Sequence, residues 1–121
     1  QRLNILISGG TSTGKTTFAR HLLTHVDDGE RLITIEDAFE LFPSQPNTVA
    51  LLASRSTGSQ RSSNALLQAS LRMRPDRIIV GELRGDEALT YLEAINTGHG
   101  ALGWTLAMGS AERLANIVVP E

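Results

Sequence analysis

Residues 9–16 read Gly-Gly-Thr-Ser-Thr-Gly-Lys-Thr and match the pattern G-x-x-x-x-G-K-[ST]. That spacing suits phosphate. Glycines let the backbone wrap closely, and successive N–H groups then point inward at phosphate oxygens. Gly9, Gly10, Thr11, Ser12, Thr13 and Gly14 would form the cradle, and Lys15 would supply a positive charge for the outer phosphates. Thr16 and Thr17 open a helix whose positive end faces the ligand, and the Thr16 hydroxyl is placed to ligate magnesium. A Gly-rich turn that binds nothing matches four specified positions now and then. The flanks favour a nucleoside triphosphate: an apolar run at 3–8 precedes the loop, and an amphipathic stretch with Phe18, Leu22, Leu23 and Val26 on one face follows it.

Three further groups could do chemistry. Glu82 follows the apolar run 77–80, where a carboxylate near the first strand could orient the water that attacks a terminal phosphate. A surface acid paired with Arg84 is the plainer reading. Glu36 ends another apolar run and could hold magnesium through a water or help position the nucleophile. Asp37, with Glu40 three residues on, resembles a capping box that would only start a short turn of helix. His99 lies in Thr97-Gly98-His99-Gly100, and its imidazole could donate a hydrogen bond to a terminal phosphate. His21 and His25 share a helix face, but no third ligand candidate lies on that helix, so a zinc site is not expected.

The elements that must position these groups alternate. Strand signals at 3–8, 31–35, 47–53, 77–80 and 101–107 are separated by helix signals at 15–26, 62–73 and from 86 onward, and a last helix starts at Ser110. This predicts an α/β fold, a mostly parallel sheet with helices on both faces, with the ligand beyond the carboxyl ends of the strands. With 121 residues and 40% hydrophobic content the chain suits one domain with a modest core. The net charge of −2 argues against overall attraction to nucleic acid or anionic membrane. There is no cysteine, hence no disulfide framework or thiolate metal site, and no apolar run approaches a membrane span. Between Glu40 and Asp76 no acid occurs, while Arg55, Arg61, Arg72 and Arg74 do, with Arg77 just beyond. No aromatic residue lies among them to stack on bases, so nucleic-acid readout is not expected. An interface next to a nucleotide is one reading of the group, and a solvated basic face is the other.

Several segments together resemble the secretion ATPases. Residues 33–37, Ile-Thr-Ile-Glu-Asp, with Glu40-Leu41 look like their Asp box. Residues 71–85 are similar to their atypical Walker B segment, with Gly81-Glu82 in place of Asp-Glu, and residues 96–100 resemble the start of their His box. With the phosphate loop, the motifs keep the family's order over most of the chain. The resemblance is to the motor domain of VirB11-type ATPases, close to type II secretion and type IV pilus motors. It implies a RecA-like P-loop fold, Mg-ATP hydrolysis, and a hexameric ring working with other secretion components on the cytoplasmic face of the bacterial inner membrane. It also implies roles: Lys15 and Thr16 for phosphate and magnesium, Glu82 as catalytic carboxylate, Glu36 as accessory acid, and His99 as γ-phosphate sensor. On this resemblance, residues 1–121 are expected to be a piece of one such domain, lacking the family's N-terminal domain and the end of its C-terminal part. One position departs from the pattern: Ala107 stands where a second histidine of the His box is expected, and a methyl group cannot donate a hydrogen bond. The alternative function is a nucleotide-binding module with little turnover.

Overall fold

The computed structural model of the chain describes residues 4–54, 56, 61–83 and 105–109, with Asn4 and the last five by backbone alone. Among the described residues five strands and two helices occur in the order β1 (Asn4–Ser8), α1 (Lys15–Leu23), β2 (Leu32–Glu36), β3 (Thr48–Leu52), α2 (Ser63–Leu71), β4 (Arg77–Val80) and β5 (Thr105–Gly109). All pairings are parallel, and the strand order across the sheet is β1-β5-β4-β2-β3. The expected parallel sheet is present. The helix expected from residue 86 and the one expected from Ser110 lie outside the described residues.

The sheet's alternation assigns each helix a face. Leu32 and Ile79 point to the side of α1, where they meet Ala19, Leu23, Val26 and Leu41. Ile35, Ile78 and Val80 point to the other side, against Leu67 of α2, Ala53 and Leu83. The central strands β2 and β4 are therefore covered on both faces, although the α1-side face of β2 also carries buried Thr34 and Glu36. Along α1 and the turn after it the core-facing stripe is Ala19, partly buried Leu22, Leu23 and Val26, with Ala19 fully buried. Phe18, expected on that stripe, is 53% exposed. It sits one residue, about 100°, off the 19-22-23-26 ladder.

The helix α1 ends at Leu23, three residues before the expected Val26. The next amides bond three residues back, Thr24 to His21, His25 to Leu22 and Val26 to Leu23, so the last turn tightens. A remote side chain finishes the end. Buried Gln45 donates from Nε2 to the Leu23 and Val26 carbonyls at 2.8 and 3.0 Å. At the start of α2 the Ser62 side chain caps the helix, accepting from the Ala65 amide at 3.2 Å.

One connection is unusual. Parallel neighbours β2 and β3 are joined by residues 37–47, with no helix. Such a link must return from the carboxyl end of β2 to the amino end of β3, a path that usually carries a helix. Here it runs as a strap along α1. Leu41 packs into the α1-side core and Gln45 caps the helix end.

At the amino ends of the strands several polar groups pair with one another. Arg31 donates to the Met73 carbonyl and to Asn47 Oδ1, both at 2.8 Å, and its amide donates to Asp76. Arg77 forms a two-point ion pair with Glu30. The arginine-rich stretch thus divides: Arg72, Arg74 and Arg77 lie at this end of the sheet, opposite the Gly-rich loop, and Arg77 is engaged by Glu30. Arg55 lies outside the described residues.

Candidate functional site

The loop 9–14 leaves the carboxyl end of β1 and turns directly into α1. Two residues in it hold left-handed backbone, Ser12 at φ 60° and Gly14 at φ 87°. Alternation of this kind turns successive amides toward a common concave side, where an anion fits. The loop is tightly wound: a Cβ on Gly9 would stand 2.7 Å from Thr13 Oγ1, and Thr13 Oγ1 itself donates to the Gly10 carbonyl at 2.8 Å. The N-terminus of α1 has Gly14 as its cap, with no side-chain bond, and no acid in its first turn. Its positive end is thus free of negative side chains of its own.

Lys15 and Thr16 open the helix. The Lys15 ammonium donates to the carbonyls of Gly9 and Gly10 at 2.9 and 2.6 Å, so the side chain folds back over the loop. Exchanging these neutral acceptors for phosphate oxygens makes the acceptor charged as well as the donor and strengthens the bonds. Thr16 Oγ1 donates to Glu40 Oε2 at 3.3 Å. A hydroxyl and a carboxylate oxygen side by side at a helix N-terminus are hard oxygen donors, the kind magnesium takes. Among the described residues no three His, Cys, Asp or Glu side chains form a metal-holding group. These donors therefore suit an ion that also takes phosphate oxygens and water, rather than an all-protein cage.

The acids occupy the same edge. Glu82 follows β4 and is half-buried. It is not beside the first strand, because β5 lies between β1 and β4. At about 4.8 Å per strand spacing, this separates the ends of β1 and β4 by about 10 Å. Glu36 ends β2 and is 5% exposed. Its Oε1 accepts the amides of Glu40 and Leu41, both at 3.0 Å. The helix turn expected from Asp37 and Glu40 does not form. The Glu36 carboxylate takes those amides, residues 37–38 bend, and Glu40 is delivered to Thr16. Glu40, which its local pattern marks as structural, is thus brought beside Thr16. The available signal was its place in the segment that resembles the Asp box. His99 and Arg84 lie outside the described residues. Ala107 is on β5, in register with Leu6 and Val80.

His21 and His25 meet edge-to-face with ring centroids 5.0 Å apart on the outer side of α1. An open hollow of ≈ 270 Å³ nearby is lined by Arg20, His21, Thr24, Phe42 and Ser44. It lies at the later turns of α1, away from Lys15, and is not the phosphate site.

Residues 1–121 all match the family described as type II/IV secretion system protein. The chain belongs to that family. It is 48% identical over 100 residues to protein VirB11 of Rhizobium radiobacter, which covers 81% of this chain and 29% of that protein. It is 47% identical over 98 residues to the type IV secretion system protein VirB11 of Bartonella quintana, covering 79% and 28%. Among solved structures it resembles the VirB11 ATPase of Brucella suis, crystallised in complex with sulphate, with a TM-score of 0.75 and 38% identity over 91% of this chain and 32% of that one. The Legionella pneumophila ATPase DotB matches with a TM-score of 0.59 and 23% identity, over 91% and 30%, and speaks for the fold alone. The fold is RecA-like, and the chain spans under a third of the length of these relatives. Among the described residues no helix is long and apolar enough to cross a membrane.

Proposed function

We propose that this chain is the nucleotide-binding and hydrolysing part of a secretion-system motor, taking Mg-ATP at the loop 9–16. One observation carries the reading. The N-terminus of α1 presents its amides, Lys15 and Thr16 to one place, with no side-chain cap, and a carboxylate from another element joins it there. An uncapped positive helix end beside an oxygen pair suits a phosphate chain with a divalent ion.

Gly9 to Gly14 would wrap the phosphates, Lys15 would contact the outer ones, and Thr16 with Glu40 would hold magnesium, while Thr17 continues the first turn. Magnesium, when bound, offsets phosphate charge. Glu82, about two strand spacings from β1 along the carboxyl edge, leaves room for a terminal phosphate and a water between them. In the proposed step Glu82 orients that water and accepts its proton. The water oxygen bonds to the γ-phosphorus as the bond to the bridging oxygen breaks, and ADP leaves. Glu36 would act as an accessory acid and His99 as γ-phosphate sensor. We further read the protein as a homo-oligomer, a hexamer by resemblance, working with other secretion components at the cytoplasmic face of the inner membrane.

A phosphate-release assay on the full gene product tests the reading. Glu82→Gln is expected to retain nucleotide binding and to lose at least about 10²-fold in turnover, the lower end of what a positioned base contributes. Wild-type turnover in that variant would refute the role. A nucleotide-binding module with little turnover is the second reading. It draws on Ala107, which lies on the strand between those that deliver the loop and Glu82. Tight binding without phosphate release by the wild-type protein would favour it.

A further inference from the structure

We infer that Glu36 works as a positioning residue, with Gly81 as the clearance that lets it work: together they set the Glu40 carboxylate against Thr16. The inference rests on the reading of the loop as a Mg-nucleotide site and specifies how the accessory acid acts.

Glu36 is 5% exposed, and its Oε1 is shared by two backbone amides, those of Glu40 and Leu41. A carboxylate held this way organises the chain around it. Its two bonds close the turn 36–41 and fix where Glu40 emerges. Leu41, 2% exposed in the α1-side core, anchors the far side of that turn. Glu40, itself exposed, then reaches Thr16 across the gap between the strap and α1.

Gly81 enters from the neighbouring strand. Its amide donates to the Ile35 carbonyl at 2.7 Å, drawing the two backbones together. A Cβ at position 81 would stand 3.2 Å from Glu36 Cγ and 3.2 Å from the Ile35 carbonyl oxygen. Both contacts are tighter than ordinary van der Waals packing, and because the carbonyl belongs to β2, the Glu36 side chain is the freer of the two neighbours to give way, by a few tenths of an ångström. This accounts for a glycine between an apolar strand and Glu82. The acid that serves the ion is supplied by the strap, and position 81 is kept empty to seat the residue that directs it. The chain of dependence is Gly81 to Glu36, Glu36 to the 40–41 amides, and Glu40 to Thr16.

The test uses the full gene product and binding readouts. Mn²⁺ affinity is measured by electron paramagnetic resonance in the complex with a non-hydrolysable ATP analogue, and analogue affinity is measured separately in EDTA. Glu40→Gln, Glu36→Ala and Gly81→Ala are each expected to weaken Mn²⁺ binding about 10–100-fold, the usual cost of losing a metal site's supporting groups. Metal-free analogue binding should stay near wild type. Glu40 is exposed, so its variant tests the last contact with the fold intact. Glu36→Gln is the discriminating change: its amide oxygen still accepts both N–H bonds, so it should lose less than about tenfold. A loss in Glu36→Gln as deep as in Glu36→Ala would show that the charge itself acts on the ion, and would overturn the positioning role. Unchanged Mn²⁺ binding in Gly81→Ala or Glu40→Gln would overturn it as well. Wild-type protein that binds no analogue would overturn the nucleotide reading and this inference with it.

Discussion

The helices α1 and α2 start at the same edge of the sheet, each is nine residues long, and neither has an acid in its first turn. Their N-termini are nonetheless opposite in kind. That of α2 is closed by its own neighbours: Ser62 accepts from Ala65, and the loop before it is tied by the Ser54 amide to the Arg61 carbonyl at 2.7 Å. That of α1 is capped by a left-handed glycine without a side-chain bond, and it is flanked by a lysine that donates to two loop carbonyls. A helix end that satisfies itself is structural. A helix end left open, with a cation and a hydroxyl placed at it, is built to be completed by an anion.

Substitutions can break this contrast. The largest effect is expected for Lys15→Ala. Turnover should fall by about 10²–10³-fold or more, as when a preorganised charge donor is removed, while circular dichroism stays unchanged because alanine is a strong helix former. Gly14→Ala should come next. Left-handed backbone costs a residue with a Cβ about 1–2 kcal/mol, to be read from the denaturation midpoint, and phosphate binding should weaken as the loop shifts. Ser62→Ala should cost about 1 kcal/mol of stability and leave nucleotide affinity unchanged, as expected for a cap with no part in the site. Nucleotide affinity that fell in Ser62→Ala would erase the distinction between the two ends.

Much of this was legible in the sequence because local rules governed it. The loop's glycines and Lys15 carry their chemistry in their spacing. The apolar runs of β2 and β4 mark strands covered on both faces, and Ser62 announces a helix start. What the sequence hid was set by long-range contacts. The insertion of β5 between β1 and β4 follows from sheet order, which no local pattern encodes. Glu40 looked like a capping residue because nothing local shows that Glu36 takes the 40–41 amides first. Phe18 looked buried because periodicity finds the stripe but not its edge. Gln45, in an irregular segment, gives no local sign that it completes a helix ending some twenty residues earlier. The segments that resemble the Asp box and Walker B motif supplied part of what local reasoning could not, by grouping Glu36 with Glu40 and Gly81 with Glu82.

The most direct test of the account is the structure of the full gene product with magnesium and a non-hydrolysable ATP analogue. The account predicts the γ-phosphate above the end of β5, contacted by Lys15 on one side and within one water of Glu82 on the other. An analogue seated away from the loop 9–16, or a Glu82 carboxylate turned from the γ-phosphate in every subunit, would contradict it.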